Sequence, residues 1–123
     1  RKNMAKSLGL IIEDDADQAA IFAEALHLAE LETEIIVDGA VAAARLREVV
    51  PKVVVLDLHL PHVSGETLLH QIRSTPALAQ TRVILATADP VMAEGLSLEA
   101  DLVLIKPVSF SQLRDLALRM KAA

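Results

Sequence analysis

The chain has 123 residues, a formal net charge of −5, no cysteine and only two aromatic residues, both Phe. That length suits one domain with a proper core. The acidic balance argues against direct nucleic-acid binding, which needs a basic face, and two Phe offer no stacking platform for bases. Without cysteine there is neither a disulfide framework nor a thiolate metal site. Apolar residues make up 53% of the chain, yet no run approaches the roughly 18–20 residues that span a bilayer. They are therefore assigned to a core, with no membrane insertion, and no secretory pattern is read near the N-terminus.

No repeat or Ser/Gly/Pro-rich linker divides the sequence. A single domain is expected over residues 1–123, with residues 1–6 a flexible N-terminal segment. Residues 8–12 (LGLII) form a continuous apolar run, as in strands covered on both faces. The acidic triplet Glu13-Asp14-Asp15 ends it. A helix is predicted over about residues 16–30, with Ile21, Ala25 and Leu28 on one face and Phe22, Leu26 and Ala29 alongside. Residues 33–37 (TEIIV) are partly polar, as an edge strand would be. Asp38 suits the N-cap of a helix running to about residue 50 and stopped before Pro51.

Residues 53–56 (VVVL) are the next buried strand, rich in β-branched side chains. This strand delivers Asp57 to the point where the chain leaves the sheet, and Pro61 and Gly65 shape the loop beyond. Residues 64–73 read as a helix with Leu68, Leu69 and Ile72 facing inward, and residues 74–80 as a connection with a turn of its own. Residues 82–86 (RVILA) are a fourth strand ending at Thr87. Residues 90–96 make a short helix weakened by Gly95. Residues 102–105 (LVLI) are a fifth strand, ended by Lys106-Pro107. Ser109 and Gln112 have the spacing of a capping box, opening a last helix with Leu113, Leu116 and Met120 on one stripe.

Strand and helix alternate five times with short connections. That pattern predicts an α/β fold, a doubly wound five-stranded parallel sheet with helices on both faces. All strands of such a sheet point one way, so their polar ends meet at one edge, where ligands bind in open α/β sheets. Glu13, Asp14, Asp57, Thr87 and Lys106 converge there. An acid ending a strand is by itself unremarkable, and so is a lone strand-end Thr or Lys; the alignment of four strand ends favours a site. Crowded carboxylates repel unless a cation sits among them, and an all-oxygen donor set suits Mg²⁺, with Mn²⁺ also admissible. A carboxylate beside a cation, an ammonium and a hydroxyl makes a site for a phosphoryl group, with Asp57 as nucleophile.

Over essentially its whole length the chain resembles the receiver domains of bacterial response regulators. The acidic pair Glu13-Asp14, Asp57 followed by Pro61 and Gly65, Thr87-Ala88 and Lys106-Pro107 match the family's motifs in order at successive strand ends. The resemblance implies the (βα)5, flavodoxin-like receiver fold, with Asp57 as phosphoacceptor. It also implies Mg²⁺ held by Asp14, Asp57 and the backbone carbonyl of His59, with Glu13 acting through a metal-bound water. Lys106 would pair with the phosphoryl oxygens, Thr87 would move to hydrogen-bond them, and the Lys106–Pro107 bond would be cis. The implied partners are a sensor histidine kinase or a histidine phosphotransfer domain as donor, and a downstream protein target or fused output domain. The implied location is the cytoplasm. Such a domain assists its own phosphorylation and dephosphorylation without turning over a separate substrate. A chain of 123 residues leaves no room for a DNA-binding output domain beside the receiver.

Two departures from the family pattern stand out. Val103 occupies the position three residues before the lysine where an aromatic ring is usual, and the segment between Thr87 and Lys106 is about one helical turn short. Both fall on the face many receivers use for dimerisation or output. They lend some support to a receiver-like adaptor that phosphorylation does not switch. A Mg²⁺-dependent phosphohydrolase is disfavoured because the chain offers no cap insertion and only His59 as a poor general acid. A flavin carrier lacks the aromatic rings to sandwich its cofactor. Among the remaining polar residues, Asp15 reads as a helix N-cap, and His27 and His70 as solvated helical histidines. His59 and His62 lack a third nitrogen or sulfur ligand for zinc. The His59 side chain, two residues past Asp57, is a candidate for influencing water attack on an acyl phosphate.

Overall fold

The computed structural model of the chain describes residues 6–122. The flexible segment expected over residues 1–6 lies outside the described residues, apart from Lys6. Five strands form one sheet in the order β2-β1-β3-β4-β5: β1 (Leu8–Ile12), β2 (Glu32–Ile36), β3 (Val53–Leu56), β4 (Arg82–Thr87) and β5 (Leu102–Ile105). Every neighbouring pair is parallel, as the unbroken apolar runs of β1, β3 and β4 require. The partly polar β2 is an edge strand.

Side chains alternate between the two faces of the sheet. Leu10, Ile12, Val54, Leu56, Val83 and Leu85 meet Leu68, Leu69, Ile72 and Leu96 on one side. These come from α3 (Gly65–Ser74) and α4 (Pro90–Leu96), with Ala42 of α2 (Gly39–Arg45) completing the layer. Ile11, Val53, Val55 and Ile84 meet Phe22, Ala25 and Leu26 of α1 (Ala16–Leu28) and Leu113 and Ala117 of α5 (Phe110–Ala122) on the other. Ile21 and Leu28, expected on the apolar face of α1, are each 49% exposed. The helix packs on the sheet beside α5, so the adjacent row of Ala19, Phe22, Ala25 and Leu26 takes the core.

Capping follows the sequence closely. Asp15, Asp38, Ser64 and Asp89 each accept a backbone N–H in the first turn of the helix that follows, and Ser109 Oγ accepts the Gln112 N–H at 3.2 Å. A 3₁₀ turn at Pro76–Leu78 fills the connection before β4. The largest boundary difference is in α2, which ends at Arg45, not near residue 50. Beyond it the chain tightens into i→i−3 bonds, Arg47 N–H to Ala44 O at 3.1 Å and Glu48 N–H to Arg45 O at 2.9 Å. Leu46 is drawn into the core while Val50 stays exposed ahead of Pro51.

The edge of the sheet where strands begin is tied by ions. Asp101 accepts from Arg73 Nη2 at 2.7 Å, Arg82 Nη1 at 3.1 Å and the Val83 N–H at 2.7 Å. The opposite edge is tied by close backbone approach. A Cβ on Gly39 would lie 1.8 Å from the Val63 carbonyl oxygen, and one on Gly65 would lie 2.1 Å from that of Asp57. Gly39 N–H donates to Pro61 O and Gly65 N–H to Leu58 O, both at 3.0 Å. The loop between β3 and α3 is thereby pinned against α2 at one point and against its own strand at another.

In urea denaturation, Gly39→Ala and Gly65→Ala are each expected to lower stability by about 2 kcal/mol or more, the scale of a forced overpacking. Gly95, in α4, has nothing within 4 Å of where a Cβ would lie. Gly95→Ala is therefore expected to raise stability by about 0.5–1 kcal/mol through helix propensity.

Candidate functional site

At the edge where the strands end, β1 and β3 lie side by side, and the acids just beyond them are brought together. One carboxylate oxygen from each of Glu13, Asp14 and Asp57 lies within 4.8 Å of the others. Glu13 and Asp57 are buried, at 1% and 5% exposure, while Asp14 is open to solvent. The backbone fixes both buried acids: Glu13 N–H donates to Ile36 O and Asp57 N–H to Ile12 O, each at 3.0 Å.

Lys106 enters from the end of β5, two strands away from β3. Its ammonium donates to Glu13 Oε1 at 2.8 Å and lies 3.6 Å from Asp57 Oδ1. It spans the two buried carboxylates and stands closer to Glu13. The second Glu13 oxygen, Oε2, accepts the Asp15 N–H at 3.1 Å. Burial pushes the Glu13 carboxyl above its ordinary value, and the Asp57 charge adds to that; the Lys106 and Asp15 hydrogen bonds oppose it in part. Asp15 itself caps α1, accepting from Gln18 N–H at 3.0 Å.

Thr87 ends β4 fully buried. Its carbonyl accepts the Lys106 N–H at 2.8 Å, and its hydroxyl accepts the Asp89 N–H at 3.0 Å. Asp89 in turn accepts the Met92 N–H at the start of α4. The peptide bond between Lys106 and Pro107 is cis. The His59 ring is exposed, with Nε2 3.8 Å from Asp89 Oδ2, so it bridges loosely from the β3–α3 loop to the β4–α4 loop. Val103 is partly buried and packs against the core on the α3–α4 side. His70 pairs with Glu99 at 3.0 Å and His27 is exposed, as expected of helical surface positions. A contact with no forewarning in the sequence joins His62 to Asp38. Their spacing of 24 residues carries no local signal. The close approach of Gly39 has none either, because it depends on where another loop passes.

The donor set fits a hard divalent cation. Three carboxylates offer oxygen at short mutual distance, and no nitrogen or sulfur donor belongs to the group. Beside them stands a polarising ammonium, a neighbour that stabilises charge gathered on a carboxylate.

A family model described as the response regulator receiver domain matches residues 10–118. The transcriptional regulatory protein TrcR of Mycobacterium tuberculosis is 33% identical over 106 residues, which cover 85% of this chain and 41% of that protein. The sensor histidine kinase TmoS of Ectopseudomonas mendocina is 29% identical over 108 residues, 85% of this chain and 11% of the kinase. The chain thus spans less than half the length of either relative. Among solved structures, the receiver domain of sensor histidine kinase PA1611 from Pseudomonas aeruginosa PAO1 has a TM-score of 0.85 at 19% identity, covering 97% of this chain and 100% of that one. That structure has a magnesium ion coordinated in its active site cleft.

The crowded charge leads to two stability predictions, both without divalent cation. Asp14→Asn relieves repulsion without breaking an ion pair, and is expected to raise stability by about 0.5 kcal/mol, the scale of exposed charge contacts. The gain should shrink in high salt. Between 4.5 and its raised folded value, Glu13 keeps a proton that the unfolded chain has released. Stability from this group is present below pH 4.5 and lost as pH rises through the folded value. Over that window the wild type is expected to lose stability with pH more steeply than Glu13→Gln.

Proposed function

Since the chain belongs to the response regulator receiver family of two-component systems, we propose that Asp57 is its phosphoacceptor and that residues 1–123 work as a single receiver domain. The observation that carries this reading is the Lys106 ammonium standing between two buried carboxylates, 2.8 Å from Glu13 and 3.6 Å from Asp57. An ordinary surface lysine has no reason to reach across the sheet to that point.

In the transfer, an Asp57 carboxylate oxygen attacks the phosphorus of a phosphohistidine on the donor protein. The O–P bond forms, the P–N bond breaks, and its electron pair returns to the imidazole, which takes up a proton. Asp14, Asp57 and the backbone carbonyl of His59 would hold Mg²⁺, or Mn²⁺ with the same oxygen donors, and the ion would supply positive charge for the phosphoryl oxygens. Glu13 suits a role through water, since Oε1 is engaged by Lys106 and Oε2 by the Asp15 N–H. Lys106 would turn from Glu13 toward the phosphoryl oxygens and Thr87 would offer its hydroxyl. Both would meet the phosphoryl oxygens only in the phosphorylated state, which is how modification would shift the conformational balance. The chain thus promotes phosphorylation and hydrolysis at its own Asp57 and is not assigned a separate substrate. Its donor would be a sensor histidine kinase or a histidine phosphotransfer domain, and its output a protein target or a fused domain. Among the described residues no helix is long and apolar enough to cross a membrane.

The competing reading is an adaptor that keeps the fold without the switch. Val103, which packs against the core where the family usually has an aromatic ring, favours it.

Incubation with Mg²⁺ and acetyl phosphate, followed by intact-mass measurement, separates the two. The expected result is the gain of one phosphoryl group, abolished by EDTA and by Asp57→Ala. No gain in the wild type, with Mg²⁺ bound, would favour the adaptor. Once phosphorylated, His59→Asn is expected to change the lifetime of the acyl phosphate by altering the approach of water; an unchanged lifetime removes that role from His59.

A further inference from the structure

We infer, on the basis that Asp57 is the phosphoacceptor, that Asp38 and His62 form a clasp that positions the β3–α3 loop for the cation site. Neither residue takes part in the phosphoryl transfer itself. Asp38 caps α2, with Oδ1 accepting from the Ala40 N–H at 2.7 Å and the Val41 N–H at 3.0 Å. Its other oxygen, Oδ2, pairs with His62 Nδ1. His62 has a backbone φ of 71°, in the left-handed region that residues with a Cβ seldom adopt.

An exposed His–Asp contact alone stabilises little, but this one is set among others. Asp38 is already immobilised as a helix cap, so the contact orders only the imidazole. The next residue, Gly39, donates its N–H to Pro61 O at 3.0 Å, and its Cα is pressed against the Val63 backbone. The N-cap and first residue of α2 therefore grip three consecutive residues of the loop. The Asp38 carboxyl is held below its ordinary value, first by the Val41 N–H and then by His62, so it stays charged.

The place of the contact in the sheet gives it a consequence for the site. The strand order is β2-β1-β3 at this end. Asp38 follows β2, His62 follows β3, and the strand between them ends in Glu13 and Asp14. The loop under the clasp begins at Asp57 and carries His59, whose carbonyl is one of the proposed cation ligands. Its other anchor is Gly65, packed on the Asp57 carbonyl. With the clasp open, Leu58 and Leu60 stay packed on the core, but the His62 end of the stretch loses its side-chain tie to the start of α2. Asp38 and His62 are thus positioning residues, acting on the cation through the loop.

Two substitutions on opposite sides of the contact test this. Asp38→Ser keeps a capping oxygen but gives up Oδ2. His62→Gly keeps the left-handed backbone accessible and removes the ring. Calorimetric titration with Mg²⁺ is expected to show about tenfold weaker binding in each, the scale of lost outer-shell support, and no further loss in the double variant. Phosphorylation by acetyl phosphate should need correspondingly more Mg²⁺, while the rate at saturating Mg²⁺ stays near that of the wild type. Unchanged Mg²⁺ affinity in both variants, additive losses, or a lower maximal rate with the same Mg²⁺ dependence would each overturn the clasp alone. A wild type that takes up neither Mg²⁺ nor a phosphoryl group would overturn the phosphoacceptor reading and the clasp with it.

Discussion

Two carboxylates buried side by side at the end of an apolar sheet need a compensating cation, and in this protein Lys106 is placed to supply it. The requirement arises from the fold itself. Five parallel strands filled with Val, Ile and Leu end on one edge, and the residues just beyond β1 and β3 are acidic. Burial raises the Glu13 carboxyl, and the ammonium 2.8 Å away limits that rise. The site is consequently charged, enclosed on one side and open at Asp14, so a small cation can enter without disturbing the core. The same lysine is near enough to Asp57 to change partners when new negative charge arrives there.

The two edges of the sheet are held by different means, and the difference suits a switch. At the edge where strands start, Asp101 gathers Arg73, Arg82 and the Val83 N–H into one cluster, and Thr81 is buried with its hydroxyl donating to Pro51 O at 2.7 Å. At the site edge, the supports are loop contacts: glycines pressed on carbonyls, a histidine paired across to a helix cap, and a loose His59–Asp89 approach. One end is held by an ion cluster at Asp101, the other by backbone packing at buried glycines and by the Lys106 pairing with Glu13 and Asp57.

Much of the fold was legible because its signals are local. Apolar runs in LGLII, VVVL and RVILA marked buried parallel strands, and Asp15, Asp38 and Ser109 marked helix starts by capping patterns within three residues. Convergence of the acids, Thr87 and Lys106 followed from topology, since parallel strands must present their ends together. The features without a sequence signal depend on segments far apart along the chain. The end of α2 at Arg45 came from Leu46 being pulled into the core, the exposure of Ile21 and Leu28 from how α1 sits against α5, and the Asp38–His62 contact from two loops passing close together. None of these has a pattern within one element.

The hydroxyl of Thr87 already has a partner, which gives it a mechanical connection to the rest of the molecule. It accepts the Asp89 N–H at 3.0 Å, and Asp89 Oδ1 accepts the Met92 N–H at 3.0 Å. If Thr87 rotates toward a phosphoryl group, the Asp89 amide is left without its acceptor and the first turn of α4 loses the base on which its cap rests. A rearrangement at the mouth of the sheet would in this way reach, amide by amide, a seven-residue helix carrying the exposed side chains of Val91 and Met92. That route would not pass through the side chain at position 103.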